Sequence, residues 1–199
     1  MFDSQATLAF VNTRKDRPTG LIEALVDPTA ASAWLLHELD YSQAHPLTEV
    51  EFDRLRTLRD NAQRVLRARL AGIPPARDDL LALNQASAAA PRADHLDKEW
   101  RTSRPFAGSG TANPGDLTEL MAALASATIL LAADPSADLA ECGADDCVVL
   151  FLRSDPRQRW HSDRCGNRMR AARSYAKHKA NAARDQGKSE RHPSSSTAE

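Results

Sequence analysis

Residues 142–168 read CGADDCVVLFLRSDPRQRWHSDRCGNR, and the fold of the C-terminal third turns on how that stretch is read. Cys142, Cys147, His161 and Cys165 follow the spacing C-x4-C-x13-H-x3-C. Zinc takes soft or borderline donors in a tetrahedron, and three thiolates with one imidazole complete that shell without leaving a position for water. The pattern predicts one structural Zn2+ per chain rather than a catalytic ion. The chain has 3 cysteines, an odd number confined to one region, which does not suit a disulfide framework. The competing readings are unrelated small cysteines beside a surface histidine, or a thiol redox switch in which oxidation ejects zinc.

The segments between these residues fit a small metal-stapled module. Gly143 lets the Cys142–Cys147 knuckle turn about an ion, VVLFLR at 148–153 is β-prone, and SDPR is turn-forming. QRWH at 158–161 is expected to return as the second strand of a hairpin. Ser162 is a good N-cap, which places Cys165 in a first helical turn whose free N–H groups favour its thiolate. Knuckle, hairpin and helix together resemble a treble-clef zinc finger. At about 100° per residue, Cys165, Met169, Ala172, Ala176 and Ala183 share one helix face. Arg170, Arg173, Lys177 and Arg184 form a second stripe, and Arg164, Arg168, Tyr175 and Lys179 a third. The ligand side is apolar and the outward sides are basic.

The formal net charge of −1 hides an asymmetry. Residues 153–199 carry 12 Lys/Arg against 5 Asp/Glu, a net +7, whereas residues 1–152 carry 14 against 22, a net −8. The C-terminal piece is drawn to phosphate and the larger body is repelled by it. Arg168, Arg170 and Arg173 are the expected phosphate contacts, with Arg164, Tyr175, Lys177 and Lys179 beside them. The competing reading is a solvated basic tail that packs on the acidic body.

Upstream, the signals are those of a mainly helical domain with a small β-sheet. TLAFVNT at 7–13 mixes β-formers before a polar turn and is expected to be a short strand. Asp27 and Pro28 open a helix through DPTAASAWLLHELD, and Thr48 with Glu51 forms a capping box for a helix from Leu47 to Ala71, closed by Gly72. Phe52, Leu55, Leu58, Val65 and Leu66 are its apolar positions. A further helix follows the Pro pair at 74–75 to about residue 90, and 95–106 reads as a strand or half-hairpin. GSGTANPG at 108–115 is a loop, after which Asp116 and Glu119 repeat the capping-box pattern before an apolar helix at 117–133. His37, His45 and His95 have no obvious catalytic neighbour, and no GxSxG, P-loop or dinucleotide fingerprint is present. Neither a secretory signal nor an apolar run of membrane-spanning length is apparent, so a cytoplasmic protein without membrane contact is expected.

At WHSDRCGNR, residues 160–168, the sequence resembles the CGNR zinc-finger family, whose name-giving tetrapeptide is here Cys165-Gly166-Asn167-Arg168. LAFVNT at 8–13 and LIEALVDPTAASAWL at 21–35 look like the ABATE domain that precedes this finger in bacterial proteins. Where this chain has His161 the family commonly has cysteine, a replacement that keeps a ligand and changes the charge of the site. The resemblance implies a stress-linked transcriptional regulator with a DNA-binding finger. The resulting expectation is an α+β protein: an ABATE-like domain over 1–139, a CGNR-type finger over 140–185 and a disordered tail over 186–199. Its partners would be DNA, or RNA as the alternative, with the N-terminal domain sensing a small-molecule effector or forming a homodimer. An enzyme is not expected, because four ligands close the metal site. A zinc-stabilised protein-interaction module or a redox switch without DNA binding is the remaining alternative.

Overall fold

Short-range capping signals place most of the helices. Asp27 accepts from the Ala30 N–H at 2.7 Å and Pro28 occupies the first turn, starting the helix Pro28–Leu39. Thr48 and Glu51 exchange the reciprocal bonds of a capping box and start Glu49–Leu70, and Gly72 follows at φ +65°, a conformation that favours glycine. In chain order the elements are α1 (Ser4–Val11), β1 (Arg14–Arg17), β2 (Gly20–Glu23), α2 (Pro28–Leu39), α3 (Glu49–Leu70), α4 (Arg77–Ala88), β3 (His95–Leu96), β4 (Thr102–Ser103), α5 (Leu117–Ala133), β5 (Leu139–Glu141), β6 (Leu150–Leu152) and α6 (Asp163–Ser189). This computed structural model describes residues 3–41, 45–91, 95–96, 98–99, 101–103 and 117–189. The expected loop at 108–115 and the Asp116 cap lie outside the described residues.

The fold is α+β, with a helical N-terminal domain and, among the described residues, three two-stranded antiparallel sheets, β1–β2, β3–β4 and β5–β6. Helices α3, α4 and α5 pack on one another, and α1 crosses α3 and α5. The expected apolar positions Phe52, Leu55, Leu58, Val65 and Leu66 of α3 are all buried, as are Leu120, Leu124 and Leu131 of α5. No helix among the described residues is long and apolar enough to cross a membrane.

Residues 7–13 depart from expectation, since TLAFV belongs to α1 rather than to a strand. Asp3 caps it by accepting from the Ala6 N–H at 2.8 Å, and Thr7, Leu8, Phe10 and Val11 are buried. β-propensity reflects fit to a half-buried surface more than a backbone preference, and here helical burial against α3 and α5 supplies that surface. The β1–β2 hairpin comes next, with Arg14 opposite Glu23 and Arg17 opposite Gly20. A fully buried cation fastens it. Arg59 of α3 donates to Glu23 at 2.7 Å, to Thr13 at 3.2 Å and to Asp60 at 2.7 Å. A buried guanidinium is tolerable only when paired and hydrogen-bonded in this way.

The C-terminal hairpin also differs from expectation. QRWH does not return as a strand; β6 pairs with β5, which precedes the knuckle, so the knuckle is the loop of the hairpin. Its two faces alternate with the pleat. Leu139, Leu150 and Leu152 enter the main helical core, while Ala140, Val149 and Phe151 join the cysteines in a second cluster. Asn12 brackets the hairpin: its Nδ2 donates to the Leu150 carbonyl at 2.8 Å and its Oδ1 accepts from the Leu150 N–H at 3.0 Å. Helix α6 continues to Ser189, past the expected start of the tail at 186; residues 190–199 lie outside the described residues.

Asn12→Ala should cost about 2 kcal/mol, because it strips both backbone groups of the buried Leu150 of their partner. Urea denaturation of the two proteins reads this directly. A change below about 0.5 kcal/mol, the range of an ordinary surface substitution, would show that the bracket does not hold the hairpin.

Candidate metal centre

The knuckle is shaped by its own backbone. Cys142 N–H donates to the Val149 carbonyl at 2.9 Å and Cys147 N–H to the Ala144 carbonyl at 3.0 Å, so both thiols are set at the mouth of the hairpin loop. Asp146 takes the left-handed conformation at φ 62°, which Asp tolerates better than most residues. Thr19, in the β1–β2 turn, holds that Asp146 carboxylate through its hydroxyl at 2.7 Å and its N–H at 3.2 Å. On the far side, Gly143 N–H donates to the Arg159 carbonyl at 2.8 Å, and a Cβ at 143 would stand 3.3 Å from that oxygen. Thus residues 158–161, though not a strand, run beside the knuckle and deliver His161.

Ser162 caps α6 as expected, accepting from Cys165 N–H at 3.4 Å. The result is a Cys3His set, Cys142, Cys147, His161 and Cys165, whose donor atoms all lie within 4.8 Å of one another. His161 turns its Nδ1 toward two sulfurs, 3.5 Å from Cys147 Sγ and 3.7 Å from Cys165 Sγ. A zinc tetrahedron with ordinary Zn–S and Zn–N bonds has an S···N edge of about 3.6 Å. The donor set and its spacing fit one structural zinc, and all four positions are filled by protein. Knuckle, hairpin and helix therefore form a treble-clef-like finger.

The electrostatics of these groups point the same way. Burial, followed by its contacts with Cys142 and Cys165, pushes the Cys147 thiol up to about 11. Cys165 is shifted down: burial opposes this, but bonds from Ser162 and the neighbouring thiols outweigh it, with Arg168 adding to them. Burial shifts the His161 imidazole down from its ordinary value, and the charges of Lys15, Arg17 and Arg168 shift it further the same way. Zinc binds thiolate and neutral imidazole, so Cys165 and His161 already lean toward the forms it takes, whereas the ion must displace the proton of Cys147.

The tetrapeptide at 165–168 has a separate task for each residue. Cys165 is a donor. Gly166 gives the Trp160 ring its seat, since a Cβ there would meet Trp160 Cε3 at 3.2 Å and Arg170 Nη1 at 3.2 Å. Asn167 Oδ1 accepts from Arg170 Nη2 at 2.6 Å. Arg168 Nη2 donates to the Asp145 carbonyl at 2.6 Å, and Met169 Sδ accepts from Asp145 N–H at 3.4 Å, so the second turn of the helix is tied to the knuckle. Beyond Met169 every residue of α6 through Asn181 and Ala182 is exposed. Ala172 and Ala176, expected on the inward face, are therefore exposed rather than packed against the described part of the finger, and the Ala183 side chain lies outside the described residues.

Arg170 and Arg173 stand over the Trp160 ring at 5.9 and 5.6 Å, while Tyr175, Lys177 and Lys179 project into solvent. His37 and His45 are exposed and far in sequence from the centre, and the His95 side chain lies outside the described residues. Sequence reasoning missed the contribution of the first 20 residues: Asn12 on β6, Thr19 on the knuckle, and Lys15 and Arg17 near His161. The run RKDR at 14–17, directly after FVNT, was the available signal.

Comparison with known families covers nearly all of this architecture. The ABATE family model, described as "Putative stress-induced transcription regulator", matches residues 4–135, and the CGNR zinc finger model matches residues 139–178. No curated protein matches the chain.

Two outcomes test the centre. His161→Cys should retain zinc, since a thiolate replaces an imidazole, whereas Cys165→Ser should lower zinc affinity by at least about tenfold; metal analysis after competition with a chelator checks both. Zinc affinity should also rise with pH, because the ion must displace the proton of Cys147, held up to about 11 without it. Each such proton adds about one log unit of affinity per pH unit, and a flat profile between about pH 6 and 8 would contradict the protonated state of that thiol.

Proposed function

Because the chain belongs to the ABATE family and ends in a CGNR zinc finger, we propose that it is a zinc-dependent, DNA-binding transcriptional regulator. The observation that carries this reading is the state of α6. From Arg164 to Arg184 the helix has no Asp or Glu, so its cations have no carboxylate at i+3 or i+4 to neutralise them. From Arg170 to Ala182 it is exposed on every side. Such a helix offers positive charge to an anionic polymer, and each lysine or arginine that meets a phosphate releases counterions.

The zinc centre serves this by fixing where the helix starts. Cys165 anchors its first turn, and the Arg168–Asp145 and Met169–Asp145 contacts prevent the second turn from swinging away from the knuckle. Arg168 acts in part as a positioning residue. Arg170 and Arg173, arrayed over Trp160, and Lys177 and Lys179 further along are the phosphate contacts. The acidic body stays off the nucleic acid and leaves the finger to meet it. The centre itself performs no hydrolysis, since four protein donors leave zinc no position for an activated water.

Arg170, Arg173 and Lys177 changed together to Ala should weaken duplex DNA binding and lower the dependence of log K on log salt by about 2.7. Zinc content should stay at one per chain, which separates loss of charge from loss of the fold. Wild-type affinity and slope in this variant would remove α6 from DNA binding and favour a protein partner.

A further inference from the structure

Beside the metal centre lies a cleft of about 510 Å³ that is open to solvent. Three guanidinium groups line it, and they come from opposite ends of the chain: Arg17 from β1, and Arg164 and Arg168 from the first turns of α6. Ser162, the cap of α6, lines it too, together with Cys147, His161 and Cys165. The hairpin that supplies Arg17 is held there from both ends. Arg59 grips Glu23 at its base, and Thr19 grips Asp146 of the knuckle at its tip.

Charge balance shows that this cluster exceeds what the metal needs. Three thiolates and a neutral imidazole around a zinc dication leave one net negative charge. Three arginines therefore exceed it by two positive charges, and the nearby Lys15 and Asp146 offset each other in that sum. Among the described residues none of the three forms an ion pair with a carboxylate. Asp146, which feels both Arg17 and Arg168, is turned onto Thr19. Arg168 spends one nitrogen on the Asp145 carbonyl. Arg17 Nε is shielded from solvent and has no hydrogen-bond partner among the described residues. A desolvated guanidinium donor is costly unless an acceptor reaches it.

We propose that this cleft is a seat for a phosphate group, completed only when the N-terminal hairpin docks on the zinc finger. The chemistry selects phosphate. Its several oxygens can take forked donors from guanidiniums arriving from separate directions, its charge of one to two matches the surplus, and the start of α6 adds a favourable dipole. A single carboxylate would leave part of this donor set unused. The His161 position bears on the same balance: a cysteine there would add one more negative charge to the centre and reduce the surplus by one. The phosphate belongs either to a nucleic-acid backbone or to a free phosphorylated small molecule. Only the first source rests on the reading of α6 as a DNA-binding element.

The test uses the full zinc-loaded chain and inorganic phosphate, followed by calorimetry. One phosphate should bind per chain, and Arg17→Gln and Arg164→Gln should each weaken it by about tenfold or more, the effect of losing one charge-assisted contact. Zinc should remain at one per chain, and Arg54→Gln, on the exposed side of α3, should bind phosphate as wild type does. If Arg17→Gln loses zinc, Arg164→Gln still reads the seat. No phosphate binding by the wild type, or undiminished binding in both cleft variants, would overturn the proposal and leave the arginines as counter-charges to the metal centre. Duplex DNA then distinguishes the sources. A backbone source predicts that phosphate competes with DNA and that Arg17→Gln lowers the salt slope by about one. A small-molecule source predicts lost phosphate binding with an unchanged DNA slope. Phosphate binding that persists when the Arg170/Arg173/Lys177 variant shows no effect on DNA supports the seat while refuting the α6 reading.

Discussion

The β5–β6 hairpin has to satisfy two environments at once, and the rest of the structure depends on that constraint. Leu139, Leu150 and Leu152 complete the helical core, while Ala140, Val149 and Phe151, one residue out of phase, cover the cysteines. A slip of one residue in its register would exchange the two faces and ruin both. Asn12 prevents the slip by taking both backbone groups of Leu150. An amide does this well because it presents a donor and an acceptor side by side, matching what one residue of a strand offers at its edge. The start of the chain thereby sets the height at which the knuckle sits.

The same economy appears around the metal. The tetrapeptide at 165–168 supplies a ligand, a seat for Trp160, a partner for Arg170 and a tie to the knuckle within one helical turn. Zinc and the Asp145 contacts together hold the first two turns of α6, so the exposed remainder projects from a fixed origin. Without that origin a cationic helix lacking carboxylates would repel itself and pay an ordering cost on meeting any anion. Preorganisation by the finger removes part of that cost before binding.

Electrostatics link the two parts of the chain. The body is acidic overall, yet the piece of it that approaches the metal, β1 with Lys15 and Arg17, is basic. The hairpin reaches that position because a buried arginine, Arg59, pairs with Glu23 at its base. A buried ion pair is weak evidence for stability but a strict constraint on geometry, since breaking it leaves an uncompensated charge. Here it fixes the direction in which β1 leaves the core, and so brings positive charge to the edge of the zinc finger.

What the sequence determined by itself were the features whose physics is short in range or specific to residue type. Thr48 and Glu51 cap α3 across three residues, Asp27 and Pro28 open α2, and Ser162 places Cys165 in a first turn. The Cys3His set was legible because no other common role gathers three thiols and an imidazole at that spacing. Tertiary structure alone decided the rest. It made 4–11 a helix, since burial against α3 and α5 outweighed β-propensity, and it paired β6 with β5 rather than with QRWH. It turned Arg168 toward the Asp145 carbonyl and carried Arg17 to the metal centre. Asn12 and Leu150 are 138 residues apart, and a contact at that separation leaves no local pattern, because neither residue's neighbours need change to accommodate it. Capping and coordination are written in residue type and spacing, whereas which distant segments share a core is settled only when the whole chain has packed.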